Sequence, residues 1–390
     1  MEKLKEKYIQ TLQKGLNIYD ILPSQQPQLI ILDRTIDYIT PLHHPWKYLP
    51  IVHDVYKVDF GKVKINDSEG KKSSYDFSFH SDHLLQDLSL LEYNISGQKI
   101  DNEFQKLKAQ IDEMKEKNKN QVVDKVGSSL SEAFDKVPEM TFQKSKIEAH
   151  LNISSCIYSH IKRRKLDSFS NLELETMSSS NLSNKFKIQL QQLLSEPLDE
   201  SLSEMDKQTI LFDRIRLLLI VLLSDENIKA NEAEAFLNLI PRIEGKPFPD
   251  EPIKYLISKK KPSLIQNQTG FRNKLASVAQ IGKNMILENI SQFLSSGKHT
   301  IAQNYVKNAI EGKSSNFLIF DTLKPSTKTV ESISESVEEC IVFMVGGGTF
   351  YEYDTIMEYT GQKNLKKMVY GADYIYRGDE FLKELCKVMI

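Results

Sequence analysis

Asp33, Arg34 and Asp37, followed by His43, His44, His53 and Asp54, form the densest run of chemically capable residues in this 390-residue chain. Carboxylates beside an arginine can act as general acid and base, and histidines beside a carboxylate can ligate a metal. A second candidate is Gly346-Gly347-Gly348, a glycine turn that could admit a phosphate to a following helix amino terminus. Each has a plainer reading. An Asp-Arg pair at a strand end is commonly a salt-bridged brace, and Pro41, Pro45 and Trp46 suit a packed loop around the histidines. The glycine triplet lacks the Lys-Ser/Thr of a P-loop and the spacing of a dinucleotide fingerprint. With no metal-ligand spacing and no GxSxG nucleophile, the sequence predicts no catalytic residue, metal or cofactor.

The elements that must position these residues lie at the two ends of the chain. The apolar run Leu29 to Leu32 stops on Asp33-Arg34, as a buried parallel strand does when it delivers charged groups at its carboxyl end. Leu4, Tyr8, Leu12 and Leu16 predict a surface helix over 4–18, which leads through Pro23 and Pro27 into that strand. Residues 46–58 read as a helix, and 61–65 with 75–79 as a hairpin around a polar turn. Near the other end, 340–345 reads as a strand, 350–359 as a helix, 367–370 as a strand and 379–387 as a helix that starts at Gly378-Asp379. Solitary strands at both ends need partners. The simplest architecture is therefore α/β plus all-α: one discontinuous α/β domain with a parallel-sheet core, residues 1–98 and 336–390, interrupted by a helical domain over 99–335.

Within the insertion, Phe104, Leu107, Ile111 and Met114 follow three-four-three spacing with a charged opposite face. Pro138 should break or bend the helical run, because proline lacks an amide donor and clashes with the preceding turn. Beyond it, Ile147, Leu151, Ser154 and Tyr158, with Ile157 and Ile161, form a second stripe ending in the basic stretch 162–165. The whole of 101–165 reads as a helical hairpin, whose stripe is either an ordinary core face or a partner surface. Residues 208–223 are apolar nearly all round and predict a buried helix, too short and too charged at Asp213, Arg214 and Arg216 to span a membrane. Glu232 to Ile240 adds a short helix. Residues 258–335 are polar and Ser/Thr-rich, with an amphipathic helix near 301–310 and a loose link at 323–336.

Composition adds bounds rather than a function. The chain is 40% hydrophobic and 27% charged with a net charge of -2, which is ordinary for a globular protein and argues against a dedicated nucleic-acid binder. The three cysteines, Cys156, Cys340 and Cys386, have no CxxC spacing and read as reduced thiols of a cytosolic protein. No signal-peptide pattern opens the sequence.

Taken in order, these blocks resemble the SM (Sec/Munc) family of SNARE-assembly chaperones, and within it the Sly branch of ER-Golgi traffic. The first block carries Asp33, Arg34 and Asp37, then Pro41, Leu42, His43, His44, Trp46 and Tyr48, then His53, Asp54 and Val55. The second is Gly346, Gly347 and Gly348 with Phe350, Glu352 and Tyr353; residues 370–385 resemble the closing strand and helix. Thr349 stands where the family usually has another polar residue.

The resemblance implies an arched fold with a central α/β domain made from both chain ends, an inserted helical domain and no catalysis. It places Pro138 on the family's hinge proline and Leu151, after His150, on the apolar position that contacts the vesicle SNARE. The implied partners are syntaxin-type Qa SNAREs, vesicle R-SNAREs, assembled SNARE bundles and tethering factors, with membrane contact only through SNAREs on ER, Golgi and transport vesicles. Family members carry a further amino-terminal α/β domain that binds syntaxin, and here Met1 is expected to follow it. Two competing readings are a nucleotide- or metal-dependent enzyme built on the Asp33 and His43/His44 loop with the glycine turn, and a passive scaffold of a tethering complex.

Overall fold

The computed structural model describes residues 28–66, 72–120, 128–178, 182–225, 227–246, 248–260, 300–312, 337, 339–362 and 367–388, and side chains within 114–138 are not among them. The helix expected over 4–18 and the link at 323–336 lie outside the described residues. In chain order, β1 (Gln28–Asp33) runs through two short 3-10 turns, Arg34–Ile36 and Thr40–Leu42, into α1 (Tyr48–Tyr56). Strands β2 (Val58–Asp59), β3 (Lys62–Asn66) and β4 (Lys72–Asp76) form an antiparallel sheet, and α2 (His83–Leu88) follows. The helical segment comprises α3 (Tyr93–Asn120), α4 (Ser128–Arg164), α5 (Leu166–Ser178), α6 (Asn184–Ser195), α7 (Glu204–Ser224), α8 (Ala230–Leu239), α9 (Glu251–Lys260) and α10 (Ile301–Ile310). Strand β5 (Glu339–Val345), α11 (Phe350–Gln362), β6 (Lys367–Ala372) and α12 (Gly378–Val388) complete the described chain.

The solitary strands of the two chain ends are partners. β5 lies between β1 and β6, all parallel, with Ile30 opposite Val342 and Leu32 opposite Met344. On one face of this sheet Ile30, Leu32, Cys340, Val342 and Met344 pack against α10 and Ile356 of α11. Helix α10 thus covers the sheet, although its sequence lies inside the stretch read as the insertion. The other face departs from the expectation that β1 is buried on both sides: burial alternates along it, and Leu29 and Ile31 point outward.

Two further cores hold the helical part. Helix α7 is buried along Ile210 to Leu222, polar residues Asp213, Arg214 and Arg216 included, and packs with α5, α6, α8, α9 and with Phe381, Leu382 and Leu385 of α12. A second core joins α1, β3 and α2 to the bases of α3 and α4 through Tyr48, Val52, Val63, Leu107, Ile147, Ile153 and Ile157. Fully burying such side chains is worth roughly 1.5–3 kcal/mol each.

Helices α3 and α4 pair as the expected hairpin, but Pro138 does not break α4, which continues from Ser128 to Arg164. A proline inside a helix costs about 3 kcal/mol through its missing amide donor and its clash with the preceding turn, and the core contacts of Ile147, Ile153, Ile157 and Ile161 beyond Pro138 offset that cost. The arms are instead joined between Asn120 and Ser128. Among the described residues, no helix is long and apolar enough to cross a membrane.

Candidate functional site

At the carboxyl end of β1 the first charged group turns the chain. Asp33 caps the first 3-10 turn, accepting from the Thr35 amide at 2.8 Å and the Thr35 hydroxyl at 2.6 Å. Asp37, which ends that turn, accepts from the amides of Ile39 and Thr40 at 2.8 and 3.0 Å and from the Thr40 hydroxyl at 2.5 Å, leading the chain into the second turn. Between them, the buried Arg34 guanidinium lies 2.8 Å from Glu352 and 3.8 Å from Asp37. Burial works against the Arg34 charge, but Glu352 and Asp37 outweigh it and hold its pKa above the ordinary value.

The glycine turn closes the same end of the sheet. Gly346 and Gly347 adopt φ of 86° and 97°, and a Cβ on Gly347 would lie 2.0 Å from the Tyr376 ring. A Cβ on Gly348 would lie 2.2 Å from the Tyr370 hydroxyl. Gly347 and Gly348 are required because tyrosines fill the space beside them, and Gly346 because its φ is positive with the Arg34 side chain 3.0 Å from a Cβ there. Thr349 and Glu352 form a capping box: the Glu352 amide donates to the Thr349 hydroxyl at 3.1 Å, and the Thr349 amide donates to Glu352 Oε2 at 3.1 Å. The Tyr370 hydroxyl donates to the same oxygen at 2.9 Å. The chain's own groups thus engage the amides of Gly346, Gly348, Thr349 and Glu352 at this turn: Asp373 accepts from Gly346 and the Tyr374 carbonyl from Gly348.

The two adjacent histidines face the helical core. His44 lies between two carboxylates, with Nδ1 2.5 Å from Glu173 of α5 and Nε2 3.0 Å from Asp213 of α7. His43 Nδ1 is 2.8 Å from Glu173, whose second role is to accept from the His44 amide at 2.7 Å. Arg164, the last residue of α4, donates two hydrogen bonds to Asp213 at 2.8 and 2.9 Å. Arg216 donates to the carbonyls of Leu42 and His43 and to Asp54, and Asp54 in turn accepts from the Gly378 amide at the start of α12 at 3.0 Å. Burial opposes every charge here. For Glu173, His44 and His43 outweigh burial and hold the carboxyl at about 2. Burial and Arg216 would lower His44, yet Glu173 and Asp213 outweigh them and raise it above the ordinary histidine value.

The remaining predicted residues are structural in their contacts. Burial lowers His53 to about 4, its Nδ1 accepts from the Val58 amide at 3.1 Å, and its ring meets Phe350 edge-on at 4.8 Å. Trp46 packs edge-on against Tyr93 at 6.3 Å. Among the described residues, no group of three or more His, Cys, Asp or Glu side chains is arranged to hold a metal. Sequence reasoning missed Glu173, Asp213, Arg164 and Arg216 as partners of the histidines. The charged residues inside the otherwise apolar 208–223 stretch were the available signal, whereas nothing marked Glu173. It also missed Lys47, which reaches Asp354 at 2.8 Å and Glu358 at 3.1 Å; burial nevertheless raises Asp354 to about 7.

On the hairpin, the predicted stripe divides. Ile147 is buried in the core beneath it, Leu151 and Ser154 are half-buried, and Tyr158 is exposed with Lys162 Nζ 5.5 Å from its ring centroid. The Tyr93 hydroxyl of α3 donates to the Ser154 carbonyl at 2.7 Å, locking the arms together. The hairpin base is tied to the α/β part through buried His150, which faces the Tyr48 hydroxyl at 2.8 Å and Asp82 at 3.3 Å. Of the stripe, Tyr158 is exposed, Ser154 is half-buried against Tyr93, Leu151 is half-buried and packs against the core, and Ile147 is buried; the Pro138 side chain lies outside the described residues.

A model of the Sec1 family matches residues 1–384. The chain is 26% identical over 409 residues to mouse (Mus musculus) "Sec1 family domain-containing protein 1", covering 93% of this chain and 60% of the relative. It is likewise 26% identical over 381 residues to the rice (Oryza sativa subsp. japonica) "SEC1 family transport protein SLY1", covering 93% of this chain and 58% of the relative. It thus spans about three fifths of the length of these relatives. Among solved structures, Sly1p in complex with an N-terminal peptide of Sed5p aligns with a TM-score of 0.67 at 19% identity, covering 98% of this chain and 61% of that one. The SM protein Vps45 in complex with the Qa SNARE Tlg2 aligns with a TM-score of 0.62 at 16% identity, covering all of this chain and 64% of that one.

Proposed function

This chain belongs to the Sec1 family, and on that premise we propose that it is a non-enzymatic SNARE chaperone that binds syntaxin-type Qa SNAREs and vesicle R-SNAREs and templates their pairing in ER-Golgi transport. The observation that carries the reading is the division of labour in the fold. The charged groups of the α/β end are engaged in bracing, while the hairpin α3–α4 presents exposed Tyr158 beside half-buried Leu151 and Ser154 above a base packed on the core. Residues four and three apart on one helix are neighbours on its surface, which suits a partner helix laid alongside in the helix-in-groove mode. The relatives support the partner class, since Sly1p is described with a Sed5p peptide and Vps45 with a Qa SNARE.

Work of this kind is done peripherally on ER, Golgi and vesicle membranes, through the SNAREs rather than through a membrane segment of the described chain. The test is a reconstituted SNARE-assembly and liposome-fusion assay. The intact chain should accelerate both, and Tyr158→Asp should lose the acceleration while staying folded. Binding of SNAREs without acceleration would make the protein a passive scaffold. Stoichiometric ATP or GTP binding by calorimetry would overturn the reading in favour of an enzyme.

A further inference from the structure

The turn between β2 and β3 holds an aromatic ring in open solvent. Val58 pairs with Val63 and Asp59 with Lys62, so the connection is the two-residue loop Phe60-Gly61. Both residues have positive φ, 46° and 68°, a conformation that favours Asn, Asp or Gly. Phe60 fits neither the turn nor the solvent: its Cβ is strained at that φ, and at 98% exposure it is the most exposed large apolar side chain among the described residues. A lone exposed apolar residue is ordinary, but one that also strains its turn is not, and such backbone clusters at functional sites. The turn is nevertheless fixed, since the Gly61 carbonyl accepts from the Phe77 amide at 2.6 Å. Behind the ring, Lys62 and Lys64 alternate with buried Val63 and Ile65 along β3, and Lys72 stands on the same solvent face of β4. Of the described carboxylates on these strands, Asp76 is taken by Lys146 at 2.9 Å, which leaves Asp59 beside three lysines.

We propose that the solvent face of this small sheet docks on an anionic phospholipid surface, with Phe60 at its leading edge entering the interfacial layer and Lys62, Lys64 and Lys72 meeting the headgroup charge. The shape favours lipid over protein. A protein hot spot sits in a packed pocket whose neighbours exclude water, whereas Phe60 has only Asp59 and Gly61 beside it in the chain and stands in solvent. A headgroup layer closes around such a tip without a preformed pocket, and peripheral anchors combine apolar rings with lysines in this way. Each lysine near an anionic surface strengthens binding about fivefold. One ring and three lysines make a weak, reversible contact, so its work is to orient on the membrane a chain that its protein partners hold there.

Co-flotation of the full 390-residue chain with protein-free vesicles tests this, comparing phosphatidylcholine alone with phosphatidylcholine plus phosphatidylserine. No SNARE is present, so the outcome is independent of the function proposed above. The chain should float with the phosphatidylserine vesicles. Phe60→Asn should bind about tenfold more weakly yet melt at or above the wild-type temperature, because Asn suits the turn. Lys62→Ala/Lys64→Ala should lose about 25-fold, fivefold for each lysine. In a second readout, Phe60→Trp should be quenched by brominated phosphatidylcholine in the mixed vesicles, with the wild-type chain and its single Trp46 as the blank. Failure of the wild type to float, equal binding to both vesicles, undiminished binding by Phe60→Asn, or no quenching of Phe60→Trp would each overturn the proposal. A lower melting temperature for Phe60→Asn would overturn the reading of Phe60 as misfitted to its turn.

Discussion

Arg34 and Glu352 meet as an ion pair at 2.8 Å with both side chains almost fully buried, joining the end of β1 to the first turn of α11. The pair sits at the carboxyl edge of a parallel sheet, where open α/β proteins usually hold ligands. Here the position is filled by the chain itself: the guanidinium, the capping-box carboxylate, and the rings of Tyr370 and Tyr376 beside the glycine turn.

Removing one member should therefore cost more than removing both. Arg34→Met leaves the buried Glu352 carboxylate without its cation and should destabilise the chain by about 3–5 kcal/mol. Glu352→Gln in the same chain keeps an acceptor for the Thr349 amide and should recover part of that loss. Urea denaturation of both singles and the double completes the cycle, and strict additivity would refute the coupling.

Gly347→Ala should be poorly tolerated, since the residue sits at φ 97° and a Cβ would overlap the Tyr376 ring. The left-handed backbone alone costs roughly 1–2 kcal/mol for a residue with a Cβ. Tyr376→Ala in the same chain should relieve the overlap but not the backbone cost. A lowered melting temperature that the second change only partly restores is the expected result.

The His44 brace should give stability a pH optimum. Glu173 is held at about 2 against an ordinary 4.5, so its contribution is present above pH 4.5 and is lost as pH falls towards 2, an effect on the order of 3 kcal/mol. His44 is raised from 6.5, so its contribution is full below pH 6.5 and is lost as pH rises through its higher folded value. The brace is thus strongest between 4.5 and 6.5. Denaturation of wild type and His44→Gln from about pH 3 to about pH 9 should show the largest gap inside that window and a smaller one on either side. A gap independent of pH would show that the ring acts by shape alone.

On the hairpin, Tyr158→Asp and Ile147→Asp should fail in different ways. Tyr158 is exposed, so its replacement should change stability by about 0.5 kcal/mol or less while abolishing acceleration of SNARE assembly. Ile147 is buried at the hairpin base, and a charge there should unfold the lobe. Circular dichroism beside the assembly assay separates the two. Normal assembly by the Tyr158 variant would remove Tyr158 from the proposed site.

The sequence by itself determined the elements and their order. Apolar runs, caps and glycines are local signals, so the strand at 29–32, the buried helix at 208–223, the hairpin and the glycine turn were all legible, and the motif blocks identified the family. What only the tertiary structure decided were partnerships across long separations. That His44 lies between Glu173 and Asp213, and that Arg164 and Arg216 complete the brace, depends on where three helices converge. Local pattern also could not say which side of a stripe faces the core: Ile147 and Tyr158 share a helical periodicity, yet one is buried and the other exposed. Nor could it say that a proline would be carried within a helix held by core contacts further along. The physical reason is the same in each case. Periodicity fixes which residues share a face, while burial and charge pairing depend on what packs against that face.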